Sequence, residues 1–223
     1  MVTNFHTWTS GSNEGGDKIS YNSSNPRTIT SNQYLNLLFT RKSIGRLTPP
    51  GPNTDEIETI IKAGAAAPDH GRLTPWRFIV IEGDQRAKFG EFLAEALTIR
   101  LAAQGIEASD AQIAKEQNKL LRAPVVIVVA VKVEANNKIP TIEQMLSGAA
   151  ACENMLLAAT AMGFGSMWRT GDPNYDPYVK RALGFDENDH LIGWLYFGTG
   201  PELQKNPKHE INVNPLITYW GQK

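Results

Sequence analysis

The heaviest constraint on the fold is an eleven-residue run, "APVVIVVAVKV" at 123–133. β-Branched side chains are stiff and fit a pleated backbone, and a run with no polar alternation reads as a strand buried on both faces. Such a strand sits in the middle of a sheet and requires covering layers above and below it. The other elements supply those layers. Thr30 with Gln33 makes a capping-box pattern ahead of a helix to about Arg41, and Asn53 with Glu56 repeats it ahead of Ile57, Ile60 and Ile61, with Pro68 as the stop. A strand is expected over Arg77–Ile81, then a helix capped by Asp84 with Phe89, Phe92, Leu93, Ala96 and Leu97 on one side, then a helix from Ser109 to about Arg122. After the central strand come a long Gly- and Ala-rich helix over 141–162, the strands "GSMWRTG" and "HLIGWLYFGTG" with a short helix at Pro177–Leu183 between them, and the β-prone "LITYW".

Several function classes drop out. No strand is followed by a Gly-x-Gly-x-x-Gly turn or a Walker A loop, so the element order does not amount to a doubly wound nucleotide fold. No Gly-x-Ser-x-Gly elbow occurs, and Ser166 precedes a strand where a hydrolase nucleophile would follow one. The four histidines lack metal-ligand spacing, so no metal is expected. A net charge of -1 provides no field for nucleic acid or anionic membrane, and no apolar stretch is long enough to span a bilayer. The single cysteine, Cys152, excludes an internal disulfide and suits a reducing, cytoplasmic location, with a buried packing role. Of the first 30 residues, 17 are Ser, Thr, Asn or Gly, so residues 1–30 are expected to be a flexible tail ahead of one domain over 31–223.

What remains is a set of three short segments at element ends, each mixing cations with small or aromatic residues. "RKS" at 41–43 offers two cations and a hydroxyl, which suits a phosphate, although basic residues in a last helical turn also complement the helix dipole. "APDHGRLTPW" at 67–76 sets His70 beside a flat apolar wall of Pro75 and Trp76, and reads equally as a stiff connector. "WRTG" at 168–171 follows Gly163 and Gly165, whose bare backbone admits a planar ring or an edge strand with a packed Trp.

Taken in this order, the segments resemble the nitroreductase family of flavoproteins. Arg41-Lys42-Ser43 with Ile44-Gly45-Arg46 is similar to that family's Arg-Arg-Ser start, Ala67-Pro68-Asp69-His70 then Pro75-Trp76 to its loop, and Gly163-Phe164-Gly165 through Trp168-Arg169-Thr170-Gly171 to its strand; "LYFGT" at 195–199 extends the likeness. The resemblance covers about residues 33–220. It implies an α+β fold with a mixed central sheet sandwiched by helices, and an intertwined homodimer with FMN at the interface. Arg41, Lys42 and Ser43 would hold the FMN phosphate and ribityl chain, His70 would contact the flavin, and Trp168, Arg169 and Thr170 would line the isoalloxazine. Two departures stand out. Ala66 occupies a flavin-side position where the family branch often carries a basic residue, so either Arg72 supplies that charge or the cofactor is held more weakly; Thr170 replaces a serine and keeps its hydroxyl. The activity implied is ping-pong hydride transfer from NADH or NADPH through FMN to a nitroaromatic, quinone or similar small acceptor, with no catalytic side chain required. The alternatives are an FMN-dependent dehydrogenase, oxidase or flavin-modifying enzyme, and a flavin-binding protein without turnover.

Overall fold

In the computed structural model, residues 33–201 and 211–221 are described. The tail expected over residues 1–30 and the Thr30 cap lie outside the described residues. Strand β2 (Val125–Val131) is buried at every position, as its unbroken apolar run dictates. It is flanked by β1 (Trp76–Glu82) and β4 (His190–Gly198), and β3 (Gly165–Arg169) completes the order β1-β2-β4-β3. All three ladders are antiparallel, which separates the sheet from doubly wound folds, while a parallel bridge between Ser43 and Ser166 makes the sheet mixed.

Period-two alternation along β2 divides the interior into two cores. Val126, Val128 and Ala130 face one core, with Leu93 and Ala96 of helix α3 (Gln85–Ala102) and Val179 of α6 (Pro177–Ala182). Val125, Ile127 and Val129 face the other, with Ile57 and Ile60 of α2 (Thr54–Gly64) and Cys152, Met155, Leu156 and Ala159 of α5 (Thr141–Ala161). The buried residues of α5 recur at helical spacing from Gln144 to Ala159, so one stripe of the helix lies on the sheet. Helix α4 (Asp110–Gln117) packs on α3, and α1 (Gln33–Thr40) against α5. Among the described residues, no helix is long and apolar enough to cross a membrane.

Local signals held where the backbone could use them. The Asn53 side chain accepts from Glu56 N at 3.0 Å while Glu56 Oε2 accepts from Asn53 N at 2.8 Å, completing the expected capping box, and Ser109 with Gln112 forms another. Asp84 does not cap α3. Its backbone is already helical (φ -68, ψ -18), whereas a side-chain cap needs the extended conformation to turn its oxygen toward the first amides. The helix expected over 109–122 breaks: Asn118 bonds back to Ala114 O at 2.8 Å, and a single 3-10 turn, Leu120–Arg122, leads to extended Ala123 before Pro124. The "LITYW" segment forms no strand. One 3-10 turn at Asn214–Leu216 precedes exposed chain that finds no ladder partner within the described residues.

Two outcomes follow from this packing. Gly90 lies where a Cβ would meet the Gln117 carbonyl oxygen at 2.1 Å. Propensity alone favours Ala in a helix by about 1 kcal/mol, but the clash is with backbone, so Gly90→Ala is expected to lower stability by about 1–3 kcal/mol in thermal or denaturant unfolding; a raised Tm would contradict the close α3–α4 contact. The Cys152 thiol is pushed up to about 12, first by burial and then by the Glu153 charge. Alkylating reagents should leave it unmodified in the native protein at neutral pH and label it fully in denaturant, a difference that mass spectrometry reads directly.

Candidate active site

The site is assembled at β3, an edge strand of the sheet. The segment after α1 runs beside it: Ile44 N donates to Ser166 O at 2.9 Å, Leu47 N to Arg122 O at 2.8 Å, and Thr48 and Thr199 exchange backbone bonds at 2.9 and 2.8 Å. These bonds fix Arg41, Lys42 and Ser43 at the entry to the sheet. Arg41 Nε lies 3.4 Å from Glu153 Oε1 on α5, while its Nη1 is buried without a partner. Ser43 is exposed.

Strand alternation sends the next two predicted residues to opposite faces. Trp168 points toward α5, and a β-bulge in β4 makes its seat. The register shifts between Val129 and Ala130, freeing the Ile192 carbonyl to accept the Trp168 indole N–H at 3.3 Å. Gly193 leaves the space: a Cβ there would fall 2.0 Å from the indole nitrogen. Arg169 points to the α3 face, where Nη2 donates to Gly45 O at 3.0 Å and the guanidinium lies 5.5 Å from the centroid of the Tyr196 ring. Its Nε is also buried and unpartnered. Thr170 is exposed at the strand's end. Burial pushes the Tyr196 hydroxyl up to about 12, against the opposing pull of Arg169 and Arg122, so the ring stays neutral at physiological pH.

Around Arg169 and Thr170 lies a cleft of about 280 Å³ that the sequence reading missed, walled by Lys115, Lys119 and Arg122 over a floor of Trp194 and Tyr196. A neighbouring cleft of about 320 Å³, lined by Gly45, Arg46, Asn118, Leu121 and Arg122, shares Arg122 with it. The three cations follow one another at i, i+4 and i+7, a one-face helical spacing legible in sequence. The helix break at Asn118 obscures that signal.

Ala66 and His70 stand elsewhere. The loop after α2 runs along α5: Asn154 donates to Ala63 O at 3.2 Å, Ser147 Oγ to Pro68 O at 2.7 Å, and His70 Nδ1 pairs with Glu143. Ala66 is exposed at the head of this loop. Trp76 is buried and donates to Ser147 Oγ at 3.0 Å, which makes it the loop's apolar base. Arg72 and Thr74 hold left-handed φ values of 56° and 48°, with Thr74 N donating to Asp69 Oδ2 at 2.7 Å. The α5 partners of Arg41 and His70, Glu153 and Glu143, are ten residues apart, about 15 Å of helix rise. One chain therefore joins Arg41, Lys42, Ser43, Arg169 and Thr170 at β3 and leaves Ala66 and His70 along the helix.

This arrangement has no nucleophile with an adjacent base and no paired carboxylates. It offers cations, two of them with unused buried N–H groups, and aromatic walls, which suits holding an anionic, planar group. Comparison with known proteins gives the same direction. The model of the Nitroreductase family matches residues 38–199. A relative from Escherichia coli strain K12, "Putative NAD(P)H nitroreductase YdjA", is 39% identical over 189 residues, covering 83% of this chain and 98% of the relative. Among solved structures, a nitroreductase-like family protein from Bacillus cereus superimposes with TM-score 0.71 at 20% identity, covering 86% of this chain and 97% of that one. A nitroreductase with bound FMN from Bacteroides fragilis superimposes with TM-score 0.61 at 22% identity, covering 85% and 99%. By its sequence, its sheet and its helices alike, the chain belongs to the nitroreductase family.

Proposed function

We propose that the chain is an FMN-dependent NAD(P)H oxidoreductase that reduces nitroaromatics, quinones or similar small acceptors, working in the cytoplasm as a homodimer whose residues 31–223 form one FMN-binding domain. The observation that carries this reading is the pair of buried, unpartnered guanidinium nitrogens, Arg41 Nη1 and Arg169 Nε, in the two segments that the Ser43–Ser166 bridge joins. A buried N–H without an acceptor is costly, and a phosphate at Arg41 and a flavin edge at Arg169 would satisfy them. These residues fit FMN. Arg41, Lys42 and Ser43 would hold its phosphate and ribityl chain, and Trp168, Arg169 and Thr170 would line its isoalloxazine.

Bound FMN supplies the hydride-accepting and hydride-donating centre, so the chain need supply no acid or base. Arg169, with Lys119 and Arg122 in the same cleft, would hold positive charge toward the flavin and so favour its reduced, more negative form. Tyr196 and Trp194, on the floor of that cleft, have both polar handles already used: Tyr196 Oη donates to Lys119 O at 3.3 Å and Trp194 Nε1 to Asn174 Oδ1 at 2.9 Å.

Two features support a shared site. Leu38 and Phe39 on α1, Ile142 and Leu146 on α5, and Ile217, Tyr219 and Trp220 near the C-terminus are large apolar side chains left exposed, Trp220 at 98%. Such surfaces mark association. The α5 spacing that keeps His70 from Arg41 within one chain lets a second copy bring its Ala66–His70 loop to the FMN.

The purified chain with FMN should be yellow, bleach on anaerobic addition of NADH or NADPH, and regain colour with a nitroaromatic. A colourless protein that ignores added FMN would sink the reading. Arg41→Ala should weaken FMN binding by about 1.5–3 kcal/mol, the loss of one charge-assisted contact, as measured by flavin fluorescence titration; an unchanged Kd would remove Arg41 from the phosphate site. Sedimentation should return a dimer, and a monomer that turns over at full rate would rule out the shared site.

A further inference from the structure

Resting on that reading, we infer that the acceptors this chain favours are aromatics carrying an anionic group, drawn in by the cleft around Arg169. The lining holds four cations, Lys115, Lys119, Arg122 and Arg169, against two carboxylates, Glu116 and Asp172, a local excess of two positive charges on a chain whose net charge is -1. Both carboxylates are already engaged: Glu116 pairs with Lys119, and Asp172 with Arg100 at 3.3 Å. Nothing acidic in the lining is left for Lys115, Arg122 or Arg169. Arg169 is held by a carbonyl and an aromatic ring, neither of which cancels its charge. Lys115 is exposed at the solvent side, while Arg122 is half-buried.

A cleft of one sign over low-dielectric walls focuses its field on incoming ligands. The buried floor of Trp194 and Tyr196 has no free polar group to compete for the ligand, so its charge finds the cations as partners over a low-dielectric base. At about 280 Å³ the cleft lies near the lower end of small-molecule sites, roughly 300 Å³, and suits a single ring in preference to a fused system. For a nitroaromatic the net step is balanced: one hydride from NAD(P)H and one solvent proton enter, one nitro oxygen leaves as water, and a nitroso compound and the oxidised nicotinamide remain.

The test compares para-nitrobenzoate with para-nitrobenzamide, close in size and differing in charge, on the FMN-loaded full-length protein. Their intrinsic reactivities differ, so the informative quantity is how the kcat/KM ratio moves with salt and with charge in the cleft. Raising ionic strength should depress kcat/KM severalfold for the benzoate and leave the benzamide nearly level. Lys115→Glu should cut the benzoate-to-benzamide ratio about fivefold or more, with Lys115→Gln giving a smaller cut in the same direction. A ratio unmoved by salt and by both variants overturns the inference while the reductase reading stands. Failure of the loaded protein to oxidise NADH or NADPH with either acceptor overturns both.

Discussion

Burial of β2 on both faces, with both its edges paired, is the constraint from which the rest of this structure follows. Seven consecutive buried residues admit no solvent-facing side, so the sheet must carry a core above and a core below, and its free edges are displaced outward to β1 and β3. An open edge presents unpaired amides and carbonyls, which proteins blunt by covering them. At β3 the cover is the segment from Ser43 to Thr48, bonded to Ser166, Arg122 and Thr199. The cationic segment ahead of it is thus brought to the sheet by the same bonds that close the edge. The residues proposed to hold the cofactor and the edge protection share one piece of chain.

The short edge strand then decides what one chain presents to a ligand. Five residues of alternating side chains cannot turn Trp168 and Arg169 to one side, so the indole goes to the α5 core and the guanidinium to the α3 face. A ligand meeting this strand at its end touches the backbone and the exposed Thr170 first, with Arg169 reaching it from one face only. The bulge at Ile192 and Gly193 matters for the same reason: it supplies a spare carbonyl and a missing Cβ, which together fix the indole.

Much of the fold was legible because its signals are local or strongly periodic. The central strand, the α5 stripe and the capping boxes at Asn53 and Ser109 each follow from side chains within one element. The failures have a common cause in backbone state. Asp84 has the right side chain on the wrong φ/ψ, Asn118 ends a helix by bonding back to Ala114, and "LITYW" has strand propensity with no strand edge to join. Propensity describes what a residue can do once a partner exists, and the partner is a property of the fold. The candidate site divides in the same way. The order of "RKS", "APDH" and "WRTG" was visible, but the opposed directions of Trp168 and Arg169 and the separation of Arg41 from His70 along α5 depend on register and on helix length.

The same distinction explains why Arg169 keeps a usable charge. Arg41 and Lys119 are each partnered by a carboxylate that neutralises them in part, and Arg100 by two. Arg169 is anchored instead by the Gly45 carbonyl and the face of Tyr196, groups that orient a guanidinium without cancelling it. Tyr196 can play that part only while it stays neutral, as a phenol is at physiological pH, and burial widens the margin by lifting the hydroxyl to about 12. A tyrosinate below the guanidinium would pair with it and quench the cleft. The ring that β4 buries in one core thus also orients the cation at the mouth of the cleft, and the packing of β4 and the electrostatics of the cleft are one arrangement.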